Sequence, residues 1–145
     1  MNNLVVSSYD AASITVQQPT FSTTGNPTPT VQAYIGLDGT ISVSGSTVSS
    51  SIQGPIDVSA GDYQFSSLSS NTAYRIIVVA QNDEGYSVKQ IAQSTSAVAP
   101  VMNNLVVSSY DAASITVQRP TFSTAGNPTP TVQAYIGLNG TDLPL

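Results

Sequence analysis

Leu68-Ser69-Ser70-Asn71-Thr72-Ala73-Tyr74-Arg75-Ile76-Ile77-Val78-Val79-Ala80-Gln81-Asn82-Asp83-Glu84-Gly85-Tyr86-Ser87 is the stretch whose reading decides the fold. Tyr74 to Ala80 is dense in β-branched residues, which lose little χ1 freedom in an extended chain. Asn82-Asp83-Glu84-Gly85 reads as a four-residue hairpin loop. Tyr86 to Ile91 then supplies the returning strand. The run Ile76-Ile77-Val78-Val79-Ala80 is the longest apolar stretch. It falls far short of the roughly 20 residues of a membrane-spanning helix.

Outward from this stretch the period stays at two. Leu4-Val5-Val6 opens a short strand before Tyr9-Asp10-Ala11-Ala12. Ile14, Val16 and Gln18 alternate with Thr15 and Gln17 up to Pro19, and Val31, Ala33 and Ile35 alternate with Gln32 and Tyr34. A loop with two prolines and a glycine, Ser22 to Pro29, separates them. Asp38-Gly39 predicts a tight hairpin turn of type I′. Residues 44–54, rich in Ser and Gly, read as an irregular, solvent-facing edge. Pro55–Val58 and Tyr63–Phe65 read as further short strands, parted by a turn at Ala60-Gly61-Asp62. No stretch carries a helical stripe. Seven short strands over about 100 residues predict an all-β, antiparallel β-sandwich.

A repeat organises the chain. Met1–Thr40 and Met102–Thr141 differ only by Gln18 against Arg119, Thr24 against Ala125, and Asp38 against Asn139. The match stops where Asp142-Leu143-Pro144-Leu145 replaces Ile41-Ser42-Val43-Ser44. The expected division is a domain over 1–96, a linker over 97–101, and a partial repeat over 102–145 that supplies the first three strands. A unit this long is a domain in an array rather than a solenoid turn.

The residues of the opening stretch resemble the fibronectin type III family. A Leu stands six residues before a corner Tyr, alternating apolar residues follow, then Ala80-Gln81-Asn82-Asp83-Glu84-Gly85-Tyr86-Ser87, and Thr95 closes the unit. The resemblance implies an immunoglobulin-like sandwich. In it the Tyr74 hydroxyl would bond to backbone near Leu68. It covers residues 1–96, and 102–141 by repetition. The family's usual Trp in the second strand is missing, which leaves Phe21 and Phe65 as candidates to fill the core. The family is a structural and binding module, so the resemblance implies no catalysis and no cofactor.

Composition narrows function further. Of the 145 residues, 38 are Ser or Thr and 8% are charged, with net charge −5. Cys, His and Trp are absent. That excludes disulfides, thiolate chemistry, Ser-His-Asp triads and imidazole metal sites. One Lys and two Arg cannot form a basic patch for nucleic acid. The candidate binding-loop residues are Asp62, Tyr63, Asp83, Glu84 and Tyr86. The resemblance implies that they share one pole with the loop around Asn26. Three carboxylates there could take Ca²⁺, but no Asp-x-Asp-x-Asp-Gly spacing supports it. Paired carboxylates for glycoside hydrolysis would need a cleft that a sandwich of this size does not offer.

Tyr9 and Tyr34, like Tyr63 and Tyr86, read more simply as cross-strand pairs than as sugar platforms. Lys89, the only lysine, reads as an outward-facing solubility residue rather than an isopeptide donor. Asn139-Gly140-Thr141 fits a glycosylation sequon, but Asp38-Gly39 serves the same turn in the first copy. Met1-Asn2-Asn3-Leu4 shows neither a basic nor an apolar leader region.

The half copy poses a physical problem. Leu105, Val107, Ile115, Val117, Val132, Ala134 and Ile136 lack the strands that would cover them. Exposure costs about 25 cal/mol per Å² of apolar surface. Folding back onto residues 41–96 needs a span of roughly 25–35 Å. The linker reaches about 20 Å. Pairing or strand exchange with a second molecule is therefore expected. The function expected is a non-catalytic repeat module of a bacterial surface or secreted protein, acting as a spacer or adhesion unit. Its partners are other copies of the repeat, and a surface glycan or protein ligand. The alternatives are a carbohydrate-binding or attachment module of a secreted polysaccharide hydrolase, and a structural sandwich of a virus or phage particle. The expected location is extracellular or at the cell surface.

Overall fold

The structure, a computed structural model, describes residues 1–23 and 25–139. The chain forms two compact units, Met1–Val98 and Ala99–Leu145. The described residues are all-β, in several antiparallel sheets.

The first unit holds nine strands: β1 (Val6–Tyr9), β2 (Ile14–Val16), β3 (Thr30–Leu37), β4 (Ser42–Ser44), β5 (Thr47–Ser49), β6 (Gln53–Asp57), β7 (Tyr63–Phe65), β8 (Ala73–Asn82) and β9 (Gly85–Ser94). One sheet has the order β1-β2-β7, and the other β6-β3-β8-β9. Their facing sides share one core. Ile14, Val16 and Phe65 come from the three-stranded sheet, and Val31, Ala33, Ile35, Tyr74, Ile76, Val78 and Ala80 from the four-stranded one. Phe65 is fully buried and Phe21 half-buried, so Phe65 is the large residue at the centre of this core.

A third layer departs from the sequence reading. Residues 44–54 are not an irregular edge, because Thr47–Ser49 pairs with Ser42–Ser44 as a small hairpin, β4–β5. Ile41, Val43 and Val48 cluster with Ile77, Val79, Tyr34 and Val88 on the face of the four-stranded sheet away from the main core. This explains why Ile76 to Ala80 is continuously apolar. A strand covered on both faces needs no polar side. Gly36 permits the close approach: a Cβ there would meet Ile41 Cβ at 2.7 Å and Ser50 O at 2.9 Å.

The turn at Asp38-Gly39 also differs. It forms with Gly39 at φ +82°, but β3 pairs with β6 and β8, not with β4. Asp38 lacks the positive φ of a type I′ turn. Its carboxylate is held by Arg75 Nε at 2.7 Å, on the neighbouring strand β8.

The second unit contains β10 (Val101–Met102), β11 (Val107–Tyr110), β12 (Ile115–Val117) and β13 (Phe122–Thr124). β10 pairs with β13, and β11 with β12. Val101 thus belongs to a strand rather than to the linker. The expected third strand is missing: residues 131–138, identical to β3 in sequence, form none. The reason is the absence of neighbours. β3 is held between β6 and β8, with eight residues matched to β8 without interruption. Among the described residues of the second unit none is paired with residues 131–138. Asn139 is described as a turn residue, but Gly140 and Thr141 of the sequon lie outside the described residues.

Candidate functional site

Strand register brings three loops of the first unit to one pole. β3 begins where β8 ends, Thr30 opposite Gln81. β2 ends where β7 begins, Val16 opposite Tyr63. The connections 17–29, 58–62 and 83–84 therefore lie together. Asn82 joins two of them. Its Nδ2 donates to Pro27 O at 2.7 Å, and its Oδ1 accepts from the N–H groups of Glu84 and Gly85, both at 3.1 Å. Asp62 joins the others: its carboxylate accepts from Gln18 N–H at 2.8 Å, while the Gln18 amide donates to Ser59 O. Sequence reasoning missed both residues as organisers. The only signal was a polar Asn and Asp beside strand ends, where such loop bonds are made.

A cavity of about 300 Å³ opens at this pole, lined by Phe21, Asn26, Asn82, Glu84 and Tyr86 among others. Tyr86 is 59% exposed. Asp83 lines a separate hollow with Pro27, Thr28 and Asn82. The hairpin thus sends the two adjacent acids of Asp83-Glu84 to different hollows. Each hollow has a single carboxylate among its lining residues. Among the described residues no three of His, Cys, Asp and Glu are placed to hold a metal. Tyr63 is half-buried against the core. It opens β7 and packs edge-on to Phe65, ring centres 5.2 Å apart. The pole therefore presents an aromatic ring, amides and one carboxylate in each hollow.

The opposite pole is a lock. Tyr74 is buried, and its hydroxyl oxygen accepts from Ser69 N–H at 2.9 Å. Leu68, also buried, donates its N–H to Ala12 O. Thr95 Oγ1 donates to Ser69 O at 2.7 Å and accepts from Thr72 N–H at 3.1 Å. Ser96 N–H then reaches Asp10 O. Tyr74→Phe keeps the ring and orphans the Ser69 N–H. A loss of about 1–2 kcal/mol in urea unfolding is expected, with an unchanged fold by circular dichroism.

Asp10 accepts from the N–H groups of Ala12 and Ser13 in the turn between β1 and β2, which holds its carboxyl below the usual range. Asp57 is lowered likewise, first by the Ser59 hydroxyl and then by the Ser59 N–H. A carboxyl depressed by folding stabilises the fold above its unfolded pKa, here near 3.8. That contribution is lost as pH falls through the folded value. The melting temperature is expected to hold from pH 7 to 5 and drop below pH 4, with a shallower drop in Asp10→Ala.

Lys89 stands opposite Val78 in the β8–β9 ladder. Opposed residues share a face. Lys89 therefore lies on the side facing the other sheet, not on the outer face. Among the described residues it forms no ion pair, and Arg75–Asp38 is the one that is present. Tyr9 is exposed, and Tyr34 packs half-buried under the β4–β5 hairpin. No family model, no curated protein and no solved structure matches the chain.

Proposed function

We propose that the chain is a non-catalytic repeat module of a surface or secreted protein, built on sandwiches of the fibronectin type III kind, whose task is to occupy length. The observation that carries this is where the first unit's ends lie. Met1 lines the cavity beside Glu84 and Gly85, where β9 begins. Ser96 is bonded to Asp10, at the far end of β1. The chain enters at one pole and leaves at the other. Between them β9 alone runs ten residues. That is about 33 Å at the usual strand rise.

Units that enter and leave at opposite poles extend an array instead of folding it back. The near-identity of the two copies supports an array, since a spacer needs the same unit again and no new chemistry. The Ser/Thr-rich, charge-poor surface and absence of Cys support a place outside the cell, with neighbouring repeats as partners. The test is small-angle scattering on proteins of one, two and four complete repeats of residues 1–101. The maximum dimension is expected to grow by about 35–45 Å per added repeat. A maximum dimension that stops growing after the second repeat overturns the reading.

A further inference from the structure

Both copies open a repeat in the same way. In the first, Asn2 N–H donates to Thr20 O and Asn2 Nδ2 to Thr20 Oγ1, each at 2.8 Å. In the second, Asn103 makes both bonds to Thr121, each at 2.9 Å. The register of entry is thus the same in the first unit, with both its sheets in place, as in the second. The second unit also shows what comes before. Met102 pairs with Phe122 and Val101 with Thr124. Ser123 Oγ donates to Val101 O at 3.2 Å. Pro100 lies against Gly126, where a Cβ would meet Pro100 N at 3.0 Å and Pro100 Cβ at 3.1 Å. A proline just ahead of a strand removes no ladder bond. Pro100 and Val101 are therefore held by the repeat that follows them.

The residues that hold them recur in the first unit as Phe21, Ser22, Thr23 and Gly25. Phe21, Thr23 and Gly25 line the cavity of about 300 Å³ at the loop pole, together with Met1. Its other wall includes Ala80, Asn82 and Tyr86, from β8 and β9. We propose that within an array this cavity is a socket for the end of the preceding repeat. Pro100 and Val101 run along Phe21, Ser22 and Thr23 of the next repeat and fill the space between that loop and Tyr86. The second unit shows them seated on the first wall, and the first unit shows the other wall in place. A glycine stands where the parts converge. Gly126 meets Pro100, and a Cβ on Gly25 would meet Asn82 Nδ2 at 2.7 Å. Only a residue without a side chain leaves room for linker and hairpin together.

The inference rests on the array reading and gives the array a joint. Ser96 is tied to its own repeat, N–H to Asp10 O. Pro100 is tied to the next. Three residues, Ala97, Val98 and Ala99, separate the two anchors. A second consequence concerns ligands. Tyr86 and the amides beside it are covered in every repeat that has a predecessor, so the loop pole of such a repeat takes no glycan or protein ligand.

The experiment has two parts. The first uses a protein of two complete repeats, residues 1–101 followed by 1–98. The sequence has no cysteine, so Val101→Cys in the first repeat with Thr23→Cys in the second reports the pairing. Rapid cross-linking under mild oxidation is expected. Val101→Cys with Ser69→Cys in the second repeat, at the far pole, is expected not to link. The second part places Ala-Pro-Val before Met1 of the 145-residue chain. The first unit is expected to melt at least about 4 °C higher, the shift that one hydrogen bond gives a unit of this size. Ala-Gly-Gly, which lacks the fixed φ of proline and the strand preference of valine, is expected to give at most half of that. Failure of the Val101→Cys and Thr23→Cys pair to link overturns the proposal. So does equal linking with Ser69→Cys, or a melting temperature that Ala-Pro-Val leaves unchanged. Scattering keeps the two readings apart. A dimension that grows with each repeat while the pair fails to link removes the socket and leaves the spacer. A pair that links while the dimension stops growing removes the spacer and leaves the socket.

Discussion

Ile35→Ala is expected to cost the Met1–Val98 unit about 2–5 kcal/mol, whereas Ile136→Ala is expected to leave it within about 0.5 kcal/mol. The two residues occupy the same place in two copies of one sequence, 101 residues apart. Only burial separates them: Ile35 is fully buried among Ala33, Ile76, Val78 and Phe65, and Ile136 is 82% exposed. Truncating Ile35 removes three methyl or methylene groups from a packed interior and leaves a cavity that the β-ladder on both sides resists closing. Truncating Ile136 removes groups already in water. For a unit of this length 1 kcal/mol corresponds to about 4–8 °C in melting temperature. The first variant should therefore melt at least about 8 °C below the parent and the second should coincide with it. Calorimetry at a few micromolar reads both. Equal losses in the two variants would mean that the second copy is packed like the first.

The two copies also separate what local sequence dictates from what it does not. The β11–β12 hairpin repeats the register and turn bonds of β1–β2, though not its burial. Val107 faces Val117 and Tyr110 faces Ile115, as Val6 faces Val16 and Tyr9 faces Ile14. Asp111 takes the N–H groups of Ala113 and Ser114 as Asp10 takes those of Ala12 and Ser13. Everything this hairpin needs lies within some ten residues, yet only β2 was legible in the alternation: the first strand runs Val6–Tyr9 instead of the expected Leu4–Val6, and the turn-holding role of Asp10 was not read. β3 depends on β6 and β8, and its sequence twin without them is no strand. The third layer was hidden for a related reason. Ile41 to Ser44 alternates, but what places the hairpin over the sheet is the close approach at Gly36 and the apolar outer face of β8, and the latter is distant in sequence. At the loop pole, the gathering of three loops was implied by the family resemblance, and the strand register places them together. The separation of Asp83 from Glu84, and the use of Asp62 on Gln18, depend on side-chain direction within turns, which spacing does not encode.

A peptide of residues 102–139 is expected to convert a fragment of residues 41–98 from disordered to folded. Residues 41–98 lack β2, the middle strand of one sheet, and β3, an inner strand of the other, so neither sheet can close. They also lack Ile14, Val16, Val31, Ala33 and Ile35 from the core. The peptide supplies identical residues at all these places. Within residues 102–139 it departs from the first copy at three. Arg119 in place of Gln18 loses a side-chain bond to Ser59 O but keeps the backbone N–H that Asp62 accepts, and adds a cation near that carboxylate. Asn139 in place of Asp38 loses the ion pair with Arg75, whose partners are about one-third exposed at 35% and 32%. Such a pair contributes about 0–1 kcal/mol. Ala125 replaces Thr24, which lies outside the described residues. The peptide should therefore bind within about tenfold of one made from residues 1–38. Titration followed by near-ultraviolet circular dichroism of Tyr63 and Tyr74 should saturate at one peptide per fragment. A mixture still disordered at 100 µM, when the 1–38 peptide folds it, would show that the three substitutions break the interchangeability of the copies on which an array of like units depends.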